Sequence, residues 1–336
     1  MQQKDHHTIT ATARPIADRI GMFIEATDSM EALTRIQEAE QAGVQQVWAQ
    51  GAGNADLLTL FAVVATHTQR IKLGTAIVPT YPRHPLVMAQ QALAVSDFAP
   101  GRLRLGIGPG NPMLIKDWYG LSQTAPLPYL KEYLSILRGV LGQGEISYHG
   151  LFFNVEHTSR NAYGPTTLRR ASVPLLTSAV GPRAFQLAGE IADGAISWMC
   201  PLPYLLSTAL PALRTGAEAS GRPTPPLIAH VRVALCTDES KVQAKARQGV
   251  QMAARFGPYA HMFSKAGFPK VVDGDQEEID TLARTLVVRG NETTMRHRLE
   301  ELLTSGLDEL MLHLVPIVDE ASEREQLLHL ISSFKK

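Results

Sequence analysis

Residues 71–85, IKLGTAIVPTYPRHP, decide the fold because they begin as a strand and end in an unusual turn. Ile71, Leu73 and the small and branched run from Gly74 to Val78 are typical of a buried strand. Pro79 and Pro85 then enclose a polar stretch, and a helical pattern begins at Pro85. The segment therefore predicts a buried strand, an elaborate turn at its carboxyl end, and a helix.

The same unit of strand, turn and helix recurs along the whole chain. The predicted strands are Ile20–Ala26, Gln46–Gly51, Ile71–Pro79, Leu103–Gly108, Val173–Ala179, Gly194–Met199, Leu227–Cys236 and Glu309–Val315. Eight buried strands, each followed by a helix, predict a closed parallel (β/α)₈ TIM barrel of the α/β class. A doubly wound open sheet is the alternative, and it is less favoured because the repeats show no central reversal.

The ends of the predicted helices carry recognisable capping residues. Asp28 followed by Glu31 fits a capping box, and Gly43 suits a left-handed helix end. The connection between predicted strands 4 and 5 is too long for a barrel turn. There we predict a helix over residues 128–142 and then an inserted hairpin over residues 146–156.

Length and composition favour one domain that acts on small molecules. Residues 1–18 are predicted to be a flexible N-terminal arm and residues 19–336 a single domain. The 32 basic and 32 acidic residues cancel and do not cluster, so neither nucleic acid nor an anionic membrane is favoured as a partner. The apolar runs are too short to span a bilayer, and the sequence shows no cluster of metal ligands. With only Cys200 and Cys236, and no signal pattern, we expect a reduced cytoplasmic protein.

The segment SAVGPR, residues 178–183, is the best candidate for binding a phosphate group. Ser178 offers a hydroxyl, and Gly181 lets the backbone approach an anion closely. Ala179, which follows Ser178, is included in the predicted cofactor-binding set. Pro182 suits the first position of a helix, whose free N–H groups and dipole favour negative charge. Arg183 would add a charge-assisted bond if its side chain turns inward, and pointing to solvent is the alternative.

Three longer segments occur in this order along the chain: LGTAIVPTYPRHP at 73–85, GRLRLGIGPGN at 101–111 and SAVGPRAFQLAGEIADGAISW at 178–198. Together they resemble the luciferase-like monooxygenase superfamily. Three shorter segments are most similar to the branch that uses the deazaflavin coenzyme F420 instead of FMN. These are QGAGNADLLTL at 50–60, WYG at 118–120 and SWM at 197–199.

The resemblance implies how the third and fourth strand ends meet a cofactor. Family members carry a bulge with a non-proline cis peptide behind the cofactor ring, and by position this would be the bond between Ala76 and Ile77. Thr75 would then lie under the ring. Gly108 would leave space beside the ring, and Asn111 would hydrogen-bond its polar edge.

The catalytic residues are less well defined by the resemblance. Several deazaflavin relatives have an Asp-His pair after strand 2, whereas this chain has Gln50, which cannot act as a general acid. Glu25 and His84 remain as titratable groups near the predicted mouth of the barrel, with His84 better suited to orienting a helix. His230 and His313 fall inside strands 7 and 8 and are predicted to be core or rim residues.

The resemblance implies an oxidoreductase that transfers a hydride between coenzyme F420 and a small organic substrate. Trp198 and Met199 would line the substrate pocket. One alternative is an FMN-dependent monooxygenase that uses reduced flavin and oxygen, and another is a cofactor-binding barrel without turnover. Relatives dimerise through helices near strands 2 and 3, so the apolar segments 57–65 and 86–95 predict a homodimer.

Overall fold

The computed structural model describes residues 14–51, 55–158 and 168–335. Its strands are β1 (Ile20–Phe23), β2 (Gln46–Ala49), β3 (Lys72–Thr75), β4 (Val78–Pro79), β5 (Leu103–Gly108), β6 (Ile146–His149), β7 (Asn154–His157), β8 (Leu175–Ser178), β9 (Gly194–Ile196), β10 (Leu227–Ala234), β11 (Val287–Arg289) and β12 (Glu309–Leu314). Each of the eight predicted strands is present, although most end one to three residues earlier than expected.

Eight parallel strands close into a barrel in the order β1, β2, β3, β5, β8, β9, β10 and β12, with β12 pairing again with β1. The predicted TIM barrel is therefore confirmed, and the open-sheet alternative is wrong because β9 pairs with β10 and leaves no edge there. The predicted third strand is divided: β4 continues beyond β3 along β5 after a bulge. The short strand β11, which was not predicted, pairs with the outer part of β10.

The helices surround the barrel in the order expected for a β/α repeat. They are α1 (Ile16–Arg19), α2 (Ser29–Ala42), α3 (Leu57–His67), α4 (Pro85–Phe98), α5 (Pro112–Tyr119), α6 (Pro126–Gln143), α7 (Pro182–Ile191), α8 (Leu202–Tyr204), α9 (Leu210–Ala219), α10 (Glu239–Ala254), α11 (Gly257–Lys265), α12 (Gln276–Leu286), α13 (Glu292–Thr304) and α14 (Glu320–Ser333). A π-helical turn joins α8 to α9, and a 3₁₀ turn follows α11.

The capping residues explain where α2 begins and ends. The Asp28 carboxylate accepts hydrogen bonds from the N–H groups of Met30 and Glu31, and Gly43 ends the helix with φ of 93°. The Glu31 carboxylate reaches back to the N–H of Thr27, one residue before the N-cap, so the predicted capping box is displaced by one residue. These local bonds satisfy N–H groups that the helix leaves unpaired.

Two insertions interrupt the regular repeat. The first is the predicted one between the fourth and fifth barrel strands, where α6 is followed by an antiparallel hairpin of β6 and β7. The second, comprising α10, α11 and α12, lies between β10 and β12, and the sequence patterns did not predict it. Because it follows a strand end, this second insertion can cover the mouth of the barrel.

The structure describes the last residues of the predicted N-terminal arm. Residues 14–19 are held against the amino-terminal end of the barrel, where Arg14 binds the Glu309 carboxylate at 2.8 Å. Arg19 donates to the backbone carbonyls of Leu303, Leu307 and Asp308. Residues 1–13 of the predicted arm lie outside the described residues.

The interior of the barrel is filled by side chains instead of forming a pore. Phe23, Trp48, Leu176 and Met311 belong to one buried cluster inside the strands, as expected for a barrel of eight strands. No helix among residues 14–51, 55–158 and 168–335 is long and apolar enough to cross a membrane.

Candidate active site

A cavity of about 890 Å³ opens at the carboxyl ends of the barrel strands. Its volume lies in the range of small-molecule sites, roughly 300–1,000 Å³. Residues after β2, β3, β5, β8 and β9 line its lower part, and the second insertion contributes its upper wall. The predicted site residues that line it are Gln50, Ala76, Ile77, Asn111, Ser178, Gly181, Pro182, Arg183, Trp198 and Met199.

One wall of the cavity is the bulge between β3 and β4. The peptide bond between Ala76 and Ile77 is cis, which confirms the prediction, and both residues line the cavity. Thr75 is fully buried: its hydroxyl donates to the Gly106 carbonyl at 2.6 Å and accepts from the Gly106 N–H at 2.7 Å. Thr75 therefore fastens the bulge to β5 and does not itself line the cavity, contrary to the predicted cofactor contact.

The opposite wall includes the amino terminus of α7. Gly181 is the N-cap and offers no side chain to the helix, and Pro182 occupies the first turn. The first N–H groups to bond within the helix are those of Ala184 and Phe185, which both donate to the Gly181 carbonyl. The N–H of Arg183 precedes them, so it is directed outward from the helix end, where a dipole favours an anion.

Ser178 and its neighbours explain why small residues occur at this wall. A Cβ atom at Gly108 would overlap the Ser178 hydroxyl. Gly108 therefore makes room for Ser178 and does not line the cavity itself. Ala179 is also buried, with 1% of its surface exposed, and lies behind the lining residues. By contrast, a Cβ atom at Gly181 would meet open space.

Asn111 combines a structural role with a position on the cavity wall. Its side-chain oxygen accepts a hydrogen bond of 2.9 Å from the N–H of Met113 and caps α5. The amide NH₂ group is then the part of the side chain that can donate to a ligand. Pro112 begins α5 directly after Asn111.

Trp198 and Met199 follow β9 and form part of the cavity floor. The indole of Trp198 stacks on the His230 imidazole, with ring centroids 3.8 Å apart and planes inclined by 13°. Met199 has φ of 56° and donates its N–H to His230 Nδ1 at 3.3 Å. A non-glycine residue in this backbone region is uncommon and needs support from its surroundings.

Glu25 does not line this cavity. Its carboxylate lies 3.0 Å from His313 Nε2, and 62% of its side-chain surface is exposed. The hydrogen bond from His313 holds the pKa of Glu25 below its usual value. The side chain is thus turned toward β12, so its predicted role as a catalyst that contacts the substrate is not supported by its position.

Gln50 does line the cavity, at the end of β2. Residues 52–54 of the segment that suggested a deazaflavin site lie outside the described residues. His84 caps α4 by accepting a hydrogen bond from the Leu86 N–H at 3.2 Å, as its predicted orienting role requires.

The second insertion supplies lining residues that the sequence patterns missed. Phe256, Tyr259, His261 and Lys265 belong to α11 or the turn before it. Among the described lining residues the permanently charged side chains are Arg183 and Lys265, and none is an Asp or Glu. The cavity therefore presents positive charge at its walls and suits an anionic ligand.

Three protic groups at or near the cavity, those of Tyr259, Cys200 and His230, have pKa values shifted toward their neutral forms. Burial raises the pKa of the Tyr259 hydroxyl, so it remains a hydrogen-bond donor at neutral pH. Burial also raises the pKa of the Cys200 thiol to about 12, which disfavours thiolate chemistry. Burial and the neighbouring His313 and Arg232 lower the pKa of His230 well below its usual value.

Comparison with known proteins relates this geometry to one family. A family model described as luciferase-like monooxygenase matches residues 15–309. The 5,10-methylenetetrahydromethanopterin reductase of Methanolobus tindarius is 29% identical over 219 residues, which are 65% of this chain and 64% of the reductase. The chain thus spans less than two thirds of the length of this relative.

Two solved structures share the fold. An F420-dependent secondary alcohol dehydrogenase in complex with an F420-acetone adduct has a TM-score of 0.77 and 18% identity, over 95% of this chain and 99% of that one. The oxygenating constituent of 3,6-diketocamphane monooxygenase from Pseudomonas putida, in complex with FMN, has a TM-score of 0.69 and 16% identity, over 94% and 97%. The same barrel is therefore found with either cofactor.

Proposed function

Because the chain belongs to the luciferase-like monooxygenase family, an oxidoreductase family, we propose that it is a coenzyme F420-dependent oxidoreductase. It would transfer a hydride between the deazaflavin and a small organic substrate. The observation that carries the proposal is one cavity that joins the cis-peptide bulge at Ala76 and Ile77 to the open amino terminus of α7. The reductase and dehydrogenase relatives support deazaflavin over FMN.

The residues around the cavity fit such a cofactor. Ala76 and Ile77 offer an apolar surface for a planar ring, and Asn111 offers an amide for its polar edge. Ser178, Gly181 and Arg183 supply a hydroxyl, an uncovered helix terminus and a positive charge for a phosphate. The absence of carboxylates among the described lining residues removes the repulsion that an anionic cofactor would otherwise meet.

Bound deazaflavin supplies two-electron chemistry, accepting or donating a hydride at the ring carbon that replaces a flavin nitrogen. The protein supplies orientation and shelter from water. Trp198 and Met199 form the floor, and Phe256 and Tyr259 form part of the upper wall. The neutral Tyr259 hydroxyl can donate a hydrogen bond to a substrate oxygen. The amide of Gln50 can also donate a hydrogen bond, but it cannot release a proton to the substrate.

Fluorescence titration of the purified protein with F420 and with FMN tests the cofactor assignment. We expect saturable binding of F420 at lower concentration than FMN, and reduced F420 in the complex should survive in air longer than reduced FMN. Saturation by FMN without saturation by F420 would instead support the monooxygenase alternative, which the FMN-bound structural relative favours.

Turnover is tested separately from binding. Carbonyl, imine and activated-alkene compounds should be screened for substrate-dependent oxidation of reduced F420 at 420 nm in the absence of oxygen. Oxidation by any of them excludes a barrel that binds cofactor without catalysis. Binding of F420 with no oxidation across all three classes would favour that non-catalytic alternative.

We also propose that the protein is a homodimer that uses α3 and α4. Val63 on α3 and Val87 and Phe98 on α4 are 47%, 45% and 57% exposed, which is unusual for large apolar side chains in neighbouring helices. Sedimentation velocity at micromolar concentration should give a dimer. A cytoplasmic location stays a prediction from the cysteine content.

A further inference from the structure

A line of hydrogen bonds crosses three neighbouring strands beneath the cavity floor. Glu25 follows β1, His313 lies on β12 and His230 lies on β10, and these strands are adjacent in the barrel. Glu25 Oε1 is 3.0 Å from His313 Nε2, and His313 Nδ1 is 2.9 Å from His230 Nε2. His230 Nδ1 accepts the N–H of Met199 at 3.3 Å, so the line ends directly at the backbone that follows β9.

The donors and acceptors along this line can be assigned from its ends. A backbone N–H can only donate, so the Nδ1 atom of His230 is the acceptor and its proton lies on Nε2. That proton points to Nδ1 of His313, whose own proton on Nε2 then points to the Glu25 carboxylate. Both imidazoles are neutral in this arrangement, because a second proton on either ring would place two donors face to face.

The histidines of this line pack against the aromatic side chains of the cavity floor. Trp198 stacks on His230 at 3.8 Å and meets Phe23 edge to face at 5.3 Å. Phe23 in turn contacts the His313 ring at 4.6 Å. Rotation of either imidazole would therefore remove the surface on which the indole rests, and would release the N–H of Met199.

We propose that Glu25, His313 and His230 form a positioning line that fixes Trp198 and Met199 in the cavity floor and so sets the shape of the surface that receives cofactor or substrate. These three are positioning residues, because none of them lines the cavity itself. The amide at the inner end cannot pass on a proton. The line therefore orients groups and is not a proton path into the site.

The effect on ligand binding rests on the proposed function, whereas the hydrogen-bond pattern is tested without any cofactor. Long-range ¹H–¹⁵N correlation spectra of the ligand-free protein report the tautomer of each histidine. Signals are assigned with His230→Gln and His313→Phe. We expect the Nε2–H tautomer at both positions near pH 7.5. The Nδ1–H tautomer at His230 would overturn the proposal even if F420 binds tightly.

His313→Phe is the main variant because it keeps an aromatic ring against Phe23 and Trp198 while removing both nitrogens. The ¹⁹F signal of 5-fluorotryptophan at position 198, identified by its loss in Trp198→Phe, should shift or broaden in the ligand-free variant. F420 affinity should fall by about three- to tenfold, as expected for the loss of one or two hydrogen bonds in a network. Glu25→Ala should change the fluorine signal and the F420 affinity less than His313→Phe does. Glu25→Gln keeps an acceptor oxygen, so both quantities should lie nearer to their wild-type values.

His329→Phe is the matched control. His329 lies on α14 and also contacts a carboxylate, that of Glu292 at 2.9 Å, but its side chain is 70% exposed. It should leave the fluorine signal of Trp198 and the F420 affinity unchanged. Equal effects of the two His→Phe variants, or no effect of His313→Phe, would overturn the proposal.

The proposal can be tested even if His313→Phe does not fold or the wild type does not bind F420. If His313→Phe does not fold, Glu25→Ala still interrupts the line at an exposed position, and an unchanged fluorine signal there would count against the line. If the wild type does not bind F420, the proposed function fails, whereas the tautomers and the fluorine signal still decide whether the line exists.

Discussion

The two ends of the barrel both carry polar networks across neighbouring strands, but the networks differ in how completely they are satisfied. At the amino-terminal end, Glu309 is almost fully buried and binds Arg104 at 2.6 Å and Arg14 at 2.8 Å. Arg104 also donates to the side chain of Gln46 at 2.5 Å and lies over the Trp48 ring at 4.7 Å. At the carboxyl-terminal end, Glu25 is largely exposed and the amino terminus of α7 faces a cavity.

This difference follows from what each end must do. A charge in the barrel interior is tolerated only if it is paired and hydrogen-bonded, and Glu309 meets that condition within the chain. Its paired arginines hold the pKa of Glu309 below its usual value despite burial, which raises it. The carboxyl-terminal end leaves hydrogen-bond donors and an arginine available to contact a ligand. The network around Glu309 should therefore govern stability, and the groups at the carboxyl-terminal end should govern ligand binding.

The largest expected effect comes from breaking the buried network. Arg104→Met leaves Glu309 buried with only Arg14 as an ionic partner, so the free energy of unfolding should fall by about 3–5 kcal/mol. Urea denaturation measures this change. The control is Arg169→Met, which removes an exposed ion pair with Asp97 and should cost at most about 1 kcal/mol. A loss below 1 kcal/mol in Arg104→Met would contradict the stabilising role.

Gly181→Asp, at the carboxyl-terminal end of the barrel, should weaken cofactor binding without lowering stability. An aspartate is a favoured N-cap residue and a Cβ atom fits here, so stability should be unchanged or slightly higher. Its charge would repel the phosphate of a cofactor, and F420 affinity should fall by roughly 10–100-fold, equivalent to about 1.4–2.7 kcal/mol. Gly181→Asn has the same shape without the charge and should lose much less affinity. Equal losses in both variants would indicate steric block alone.

The fold was predictable because its signals are local. Strand runs, capping residues such as Asp28 and Gly43, and the bulge around Ala76 lie within short segments that do not depend on distant contacts. The strand β11 escaped prediction because Val287–Arg289 is only three residues long and exists by pairing with β10. The helices of the second insertion, α10, α11 and α12, have ordinary amphipathic patterns, which do not reveal what they cover.

The site was predictable only where family resemblance or a helix end marked it. Ser178, Gly181 and Arg183 were predicted to lie at one helix terminus, and all three line the cavity. The contact between His230 and His313 was missed because the two residues are 83 positions apart and meet only when β10 pairs with β12. Glu25 was placed at the correct end of the barrel, but no sequence signal showed that His313 would hold it.

Acidification should separate the contribution of His230 from those of the carboxylates at both ends of the barrel. The pKa of His230 is depressed, so below its usual value of 6.5 the unfolded chain binds a proton that the folded protein does not. Stability should therefore fall as pH decreases from 6.5, by up to about 1.4 kcal/mol per pH unit. Glu25 and Glu309 also have depressed pKa values, but their losses begin only below their usual value of 4.5.

His230→Gln is the variant that tests this separation. The titratable or charged groups that face His230 are the His313 imidazole and the Arg232 guanidinium, and both remain in the variant. Urea denaturation between pH 7.5 and 3.5 should show a flatter dependence of stability on pH above pH 5 for His230→Gln than for the wild type, while the loss below pH 4.5 persists. Parallel curves above pH 5 would assign the upper loss to another group.

Arg183→Met should give the smallest effect, because the Arg183 side chain is exposed at the cavity edge. An exposed charge contributes at most about 1 kcal/mol to an ionic contact, so F420 affinity should fall by up to about fivefold. Salt screens such contacts over about 8 Å at physiological ionic strength, so the difference from wild type should disappear in 1 M salt. The loss in Gly181→Asp should persist in part, since its carboxylate would lie against the bound phosphate. Fluorescence titration at 0.02 M and 1 M salt measures both. If the loss of F420 affinity in Arg183→Met does not depend on salt, the wild-type guanidinium makes a desolvated contact with the phosphate. The phosphate would then be bound by a buried ion pair as well as by the helix terminus.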